Sequence, residues 1–214
     1  MTPCNGAFKK AVRLKCYDAL EREGFTRFAK EGVDWPLFDG FHCWVGLNTG
    51  LYPGRVEVNP FVGVHVVPIA KLRVLEGRRY DRSIATYAIH MGELFGARDE
   101  QAFAFTTTQG NIFIASEAQR LARLYATVGL NYARSIANYE ALLPLLKGRL
   151  HMLGGYPENV ACCLLLMGQV NEAYTFVQDF LAQEPSYFRG FAIPFLDLIE
   201  SEGRDDNSDF SKSL

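Results

Sequence analysis

The sequence predicts an α+β protein with an N-terminal helix, a mostly antiparallel sheet of about six strands, and a C-terminal helical layer. Three observations predict it. Residues 6–23 carry apolar side chains at helical spacing, Phe41 to Leu94 holds alternating apolar runs separated by turn signals, and alanine and leucine recur at helical spacing from Ser116 onward. The expected organisation is residues 1–115 for the helix plus sheet, 116–203 for a helical layer packed on it as one continuous domain, and 204–214 for a disordered polar tail.

Within the first helix, Ala7, Phe8, Ala11, Val12, Leu14, Ala19 and Leu20 form the apolar stripe, and Gly24 sits where a C-cap glycine belongs. A short strand is expected at Phe25, then a loop over Lys30 to Gly40. A second strand runs from Phe41 to Asn48, with Phe41, Cys43, Val45 and Leu47 on one face and His42, Trp44, Gly46 and Asn48 on the other. Thr49-Gly-Leu-Tyr-Pro-Gly is turn chemistry leading into Arg55–Val67, where Val56, Val58, Val62, Val64 and Val66 share a parity and Pro60 signals a bulge or an edge. Pro68 opens a short helix. Further strands are expected at Ile84–Met91, Ala102–Thr106 and Ile112–Ala115. Helices follow over Glu117 to Leu146 (broken near Gly129 or Pro144), Pro157 to Met167, Val170 to Gln183, and Ser186 to Glu202.

The chain's 214 residues suffice for a sizeable core, and 49% hydrophobic with 13% aromatic residues place it among globular rather than disordered proteins. A formal charge of −2 argues against nucleic-acid binding through bulk positive charge. No window approaches the roughly 18 apolar residues of a membrane-spanning helix. The N-terminal MTPCNGAFKKAVRLKCYDAL lacks the apolar core of a secretory signal. Cys4, Cys16, Cys43, Cys162 and Cys163 are odd in number without C-x-x-C spacing, so reduced thiols in a cytoplasmic protein are expected.

His42, His65 and His90 lie on three expected strands, which raises a three-histidine metal site. A hairpin centred near residue 52 places His42 opposite residue 61 or 62, too far from His65 for shared ligation, so half-buried histidines on the outer sheet face are preferred. Cys43 cannot be activated by His42, because adjacent strand residues face opposite ways. His90 and Glu93 meet only if that segment turns helical. No phosphate loop or nucleophile-elbow motif occurs, and no catalytic residue, metal or cofactor is assigned. Lys71, Arg73, Arg78, Arg79 and Arg82 form a basic cluster that reads as a solvated face. Trp35, Phe38, His42, Trp44, Tyr52, Phe61 and His65 are the residues expected to bind a partner, because aromatic side chains concentrate there beyond what one sheet face can bury.

Glu23-Gly-Phe25, Trp44-Val-Gly-Leu47 and Val58-Asn-Pro-Phe-Val-Gly-Val64 give the first 115 or so residues a pattern that resembles small bacterial immunity proteins. The resemblance implies a non-enzymatic cytoplasmic protein that binds and neutralises a cognate secreted toxin, with neither nucleic acid nor membrane as partner. The alternatives are a metal-dependent or hydrolytic enzyme using His42, His65 and His90, and a scaffold. The scaffold follows from residues 158–185, which look like half a tetratricopeptide unit through Gly168, Ala173 and Pro185.

Overall fold

The computed structural model describes residues 4–74, 81–95, 103–108, 110–152 and 155–202. The expected tail at 204–214 and the basic residues Arg78 and Arg79 lie outside them. The chain divides into two compact units, Met1–His65 with Ser83–Ala137, and Val66–Arg82 with Asn138–Leu214.

The first unit opens with helix α1 (Gly6–Arg22), capped where the Asn5 side chain accepts the Phe8 N–H. The helix stops because Gly24 takes φ +101, which lets the Gly24 and Phe25 N–H groups return to the Glu21 and Leu20 carbonyls. The strands are β1 (Thr26–Ala29), β2 (Gly32–Pro36), β3 (Phe41–Tyr52), β4 (Arg55–Val66), β5 (Tyr87–His90) and β6 (Phe103–Thr106). They form one sheet in the order β1-β2-β3-β4-β5, with β6 also pairing β4, and β1–β2, β2–β3, β4–β5 and β4–β6 are antiparallel pairs. Two short strands share β4: β6 pairs Arg55–Val58 and β5 pairs Phe61–Val64. Pro60 falls between those stretches, where its missing N–H interrupts neither.

The alternation expected of β4 holds. Val56, Val58, Val62, Val64 and Val66 are all fully buried, and Phe41, Cys43, Val45 and Leu47 of β3 are buried with them. Helix α1 packs on β2 and β3, α3 (Asn111–Leu124) packs on α1 and β6, and α4 (Leu130–Ser135) packs on β3. A π-helical turn, Tyr125–Gly129, joins α3 to α4 and brings Gly129 against Val62 and Met91.

The sheet has six strands, but two expectations exchange places. The expected loop at 30–40 contains β2, and the expected strand Ile112–Ala115 is the first turn of α3. The run Ile-Phe-Ile-Ala is helical because Ile114, Ala118, Leu121 and Ala122 bury one continuous helical face. The fifth strand is also shorter than expected, starting only at Tyr87 and ending at His90, where Met91–Leu94 turns into a 3-10 helix.

The second unit consists of α2 (Val67–Arg73), α5 (Tyr139–Lys147), α6 (Pro157–Leu166), α7 (Val170–Gln183) and α8 (Pro185–Glu202). The helix break expected near Gly129 or Pro144 comes between them, at Ile136–Asn138, where the Asn138 side chain caps α5. Helix α6 is the centre of this unit, flanked by α2, α5 and α7. Gly168 at φ +73 makes the α6–α7 turn, Ala173 is fully buried and Pro185 starts α8, which are the three positions of the tetratricopeptide-like reading.

Candidate functional site

The β3–β4 loop decides which outer-face residues meet. β3 ends at Tyr52 and β4 begins at Arg55, leaving Pro53-Gly54 as the loop with Gly54 at φ +77. Proline followed by a left-handed glycine suits a type II turn. Counting back from this loop pairs Gly46 with Phe61 and His42 with His65. The contacts agree, since a Cβ on Gly46 would stand 3.1 Å from the Phe61 Cβ, and the His42 and His65 ring centres are 6.3 Å apart.

The expected separation of His42 from His65 is therefore corrected. In a hairpin, an error in the centre is doubled in the partner's number, so moving the centre from 52 to between 53 and 54 shifts His42's partner by about three residues.

Four groups then line up across the sheet on the face opposite the valines. Asp34 of β2 is paired with Trp44, which puts it on the same face as His42 and diagonal to it. The Nδ1 of His42 lies 3.3 Å from the Asp34 Oδ2, and that carboxylate is buried. The Nδ1 of His65 lies 2.8 Å from the Ile84 carbonyl oxygen. A carbonyl and a carboxylate only accept, so each imidazole carries a proton on Nδ1. Trp44 donates its indole N–H to the Ser83 carbonyl at 2.9 Å, so the Ser83–Ile84 segment lies along this face.

His90 does not join them. It pairs with Phe61, ring centres 5.2 Å apart, and so lies four β4 positions, roughly 13 Å, from His65. Its Nδ1 accepts the Gly92 N–H and the Glu93 carboxylate accepts the His90 N–H, a capping box for the 3-10 turn. The His90–Glu93 pair thus meets, in a structural role. Among the described residues no three His, Cys, Asp or Glu side chains form a metal ligand set.

The thiols of Cys16, Cys43, Cys162 and Cys163 are buried and held protonated. Burial pushes Cys16, Cys43 and Cys163 up to about 12, with the nearby Asp34 charge adding to the effect at Cys43, and it raises Cys162 further. Such thiols do not act as nucleophiles at neutral pH.

A cleft of about 200 Å³ opens between α1, the β1–β2 turn and β3, lined by Arg13, Tyr17, Phe28, Glu31, Trp44 and Asn48 among others. Its two charges neutralise each other, with Arg13 Nη1 2.9 Å from Glu31 Oε2.

The expected partner-binding residues are dispersed. Trp35 shares the core-side parity of its partner Cys43, and its ring lies edge-on to Phe25. Phe38 is exposed in the β2–β3 turn, near the buried Phe41. Tyr52 is exposed at the β3–β4 loop under the Arg55 guanidinium. His42, Trp44 and Phe61 are half-buried on the outer face, and His65 is buried there.

Sequence reasoning missed Asp34, because a five-residue strand containing aspartate and ending in proline carries no alternation signal. It also missed a set of exposed apolar side chains in the first unit. Arg55 pairs with Thr106, α3 begins five residues later, and the Cys4 thiol reaches the Tyr52 carbonyl, which brings the segment before α1 to the β3–β4 loop. Leu51 is 45% exposed, Tyr52 43%, Ile112 88% and Phe113 42%.

No family model, curated protein or solved structure matches the chain.

Proposed function

We propose that this chain is a non-enzymatic binding protein of the immunity type, whose partner is a secreted bacterial toxin. The observation that carries the binding part is the exposure of large apolar side chains in the first unit, Ile112 at 88% and Phe113 at 42% on the first turn of α3, and Leu51 at 45% and Tyr52 at 43% at the end of β3. Exposed large apolar side chains are the usual composition of a protein interface, and aromatic residues there contribute disproportionately to affinity. The partner class rests on the sequence resemblance of the first 115 or so residues.

The test is co-purification with the toxin encoded next to this chain, followed by titration. Nanomolar binding together with protection of toxin-exposed cells supports the reading. Neither binding nor protection with any neighbouring toxin overturns it.

A second reading, a hydrolytic or metal-dependent enzyme, draws on one observation: the 3.3 Å contact between Asp34 and His42, an arrangement that orients an imidazole as a general base. Loss of a measured turnover in His42→Gln, with the fold intact, would favour it over the first.

A further inference from the structure

Strand β3 is longer than its neighbour on one side. Its sheet partners are β2 and β4, and β4 runs beside it from the Pro53-Gly54 loop onward. β2 spans only Gly32–Pro36, and its pairing with β3 ends where Asp34 meets Trp44. Among the described residues no strand lies on the β2 side of residues 47–52. The direction of the backbone groups follows from the β2–β3 turn, where the Leu37 N–H donates to the Phe41 carbonyl at 2.9 Å. Odd-numbered residues of β3 therefore turn their N–H and C=O toward β2. By strand alternation Leu47, Thr49 and Leu51 turn theirs to the vacant side. There the Thr49 hydroxyl donates to the Leu47 carbonyl at 3.0 Å, a side chain standing where a neighbouring strand would.

We propose that this edge receives an extended segment of a partner polypeptide, which adds a strand beside residues 47–51 and seats one aromatic side chain in the neighbouring cleft. A row of N–H and C=O groups at strand spacing is complementary to another extended backbone. The cleft of about 200 Å³ opens where β2 stops, and Tyr17, Phe28 and Trp44 line it together with residues 45–48 of β3, a setting for one large ring. The edge also runs directly into Leu51 and Tyr52, two of the exposed apolar side chains on which the binding reading stands, so edge and surface are continuous. A second copy of this chain is the poorer occupant. The strip is roughly 20 Å long and 10 Å deep, about 200 Å², against about 800 Å² per partner in a stable interface. A segment of a larger partner needs this strip only as one part of its contact. The proposal rests on the binding reading in taking a protein as the partner, and goes beyond it in naming how that protein is held.

The experiment uses the full chain and, as probe, peptides selected from a displayed random library, with backbone amide exchange followed by NMR. The tightest synthetic peptide is expected to need an aromatic residue for binding. It should slow exchange at Leu47, Thr49 and Leu51 by about tenfold or more and leave Asn48 and Gly50, which face β4, unchanged. Thr49→Pro removes one edge donor at a position where an edge strand tolerates proline, and should weaken the peptide by about tenfold. Thr49→Val keeps the N–H and should bind like the parent. A library that yields no binder, or a peptide that protects amides elsewhere, overturns the proposal. So does edge protection in the chain alone that grows with its concentration, the mark of a second copy. Should Thr49→Pro fail to fold, the protection pattern in the parent chain decides alone. Peptide protection of this edge with no toxin bound removes only the immunity reading, and toxin binding with no peptide on the edge removes only this one.

Discussion

The Tyr125 hydroxyl lies 2.9 Å from the Gly46 carbonyl oxygen, joining positions 79 residues apart. The same hydroxyl is 2.9 Å from the Phe61 carbonyl, so one fully buried phenol ties β3 to β4 from the helical side. Tyr125 is also the first residue of the π-helical turn that joins α3 to α4. Tyr125→Phe removes the donor and leaves two carbonyls without it. Urea unfolding is expected to show a loss of about 1–3 kcal/mol.

Two glycines of the sheet should differ in their tolerance of a methyl group. At Gly63 an added Cβ would fall 1.9 Å from the Tyr87 carbonyl oxygen, a backbone atom held in the β4–β5 ladder. At Gly46 the nearest obstacle is the far edge of the Trp44 ring, at 2.3 Å, which can rotate aside. Gly63→Ala is expected to cost about 3 kcal/mol or more and Gly46→Ala less. Only Gly46→Ala should move the Trp44 fluorescence at preserved circular dichroism.

The buried thiols make the protein sensitive to alkali. Cys16, Cys43 and Cys163 are raised from 9.0 to about 12, so the folded chain holds these protons more tightly than the unfolded chain. Their stabilising contribution is complete below pH 9 and is lost as pH rises toward 12. Denaturation midpoints measured from pH 8 to 11 should fall, with a limiting slope of about 1.4 kcal/mol per pH unit for each thiol. A Cys16→Ala variant should show a shallower decline, and a flat profile in the parent chain would contradict this account.

In the first unit, Leu51→Glu and Ile112→Glu replace side chains that are already exposed. Their stability should stay within about 0.5 kcal/mol of the parent. Affinity for the partner should fall by about tenfold or more for each, read by titration calorimetry.

Much of this architecture is written in local patterns. Asn5 and Gly24 mark the ends of α1, and the five valines of β4 declare its buried face. The outer-face site was less legible for two physical reasons. Asp34 belongs to a five-residue strand with no alternation of its own, held between its neighbours β1 and β3. The meeting of His42 and His65 depends on where the loop falls to within one residue, and the run from Thr49 to Gly54 offers two glycines that could turn it. Gly50 sits inside β3 and Gly54 makes the turn, a choice decided by Pro53. Ile112 and Phe113 misled in the other direction, since a short run of β-favouring residues also suits an exposed first helical turn.

Helix α2 leaves the sheet between β4 and β5 yet packs with α6 in the second unit, burying Ile69 and Leu72. During synthesis α2 therefore emerges 84 residues before the first residue of α6. At about 5–20 residues per second that is a wait of roughly 4–17 s. Throughout it Ile69 and Leu72 lack the helix that belongs against them, while the neighbouring β4 has nearly all of its partners. A nascent chain stalled near Ala137 would display this hydrophobic turn to chaperones, and no single cut can release the second unit whole.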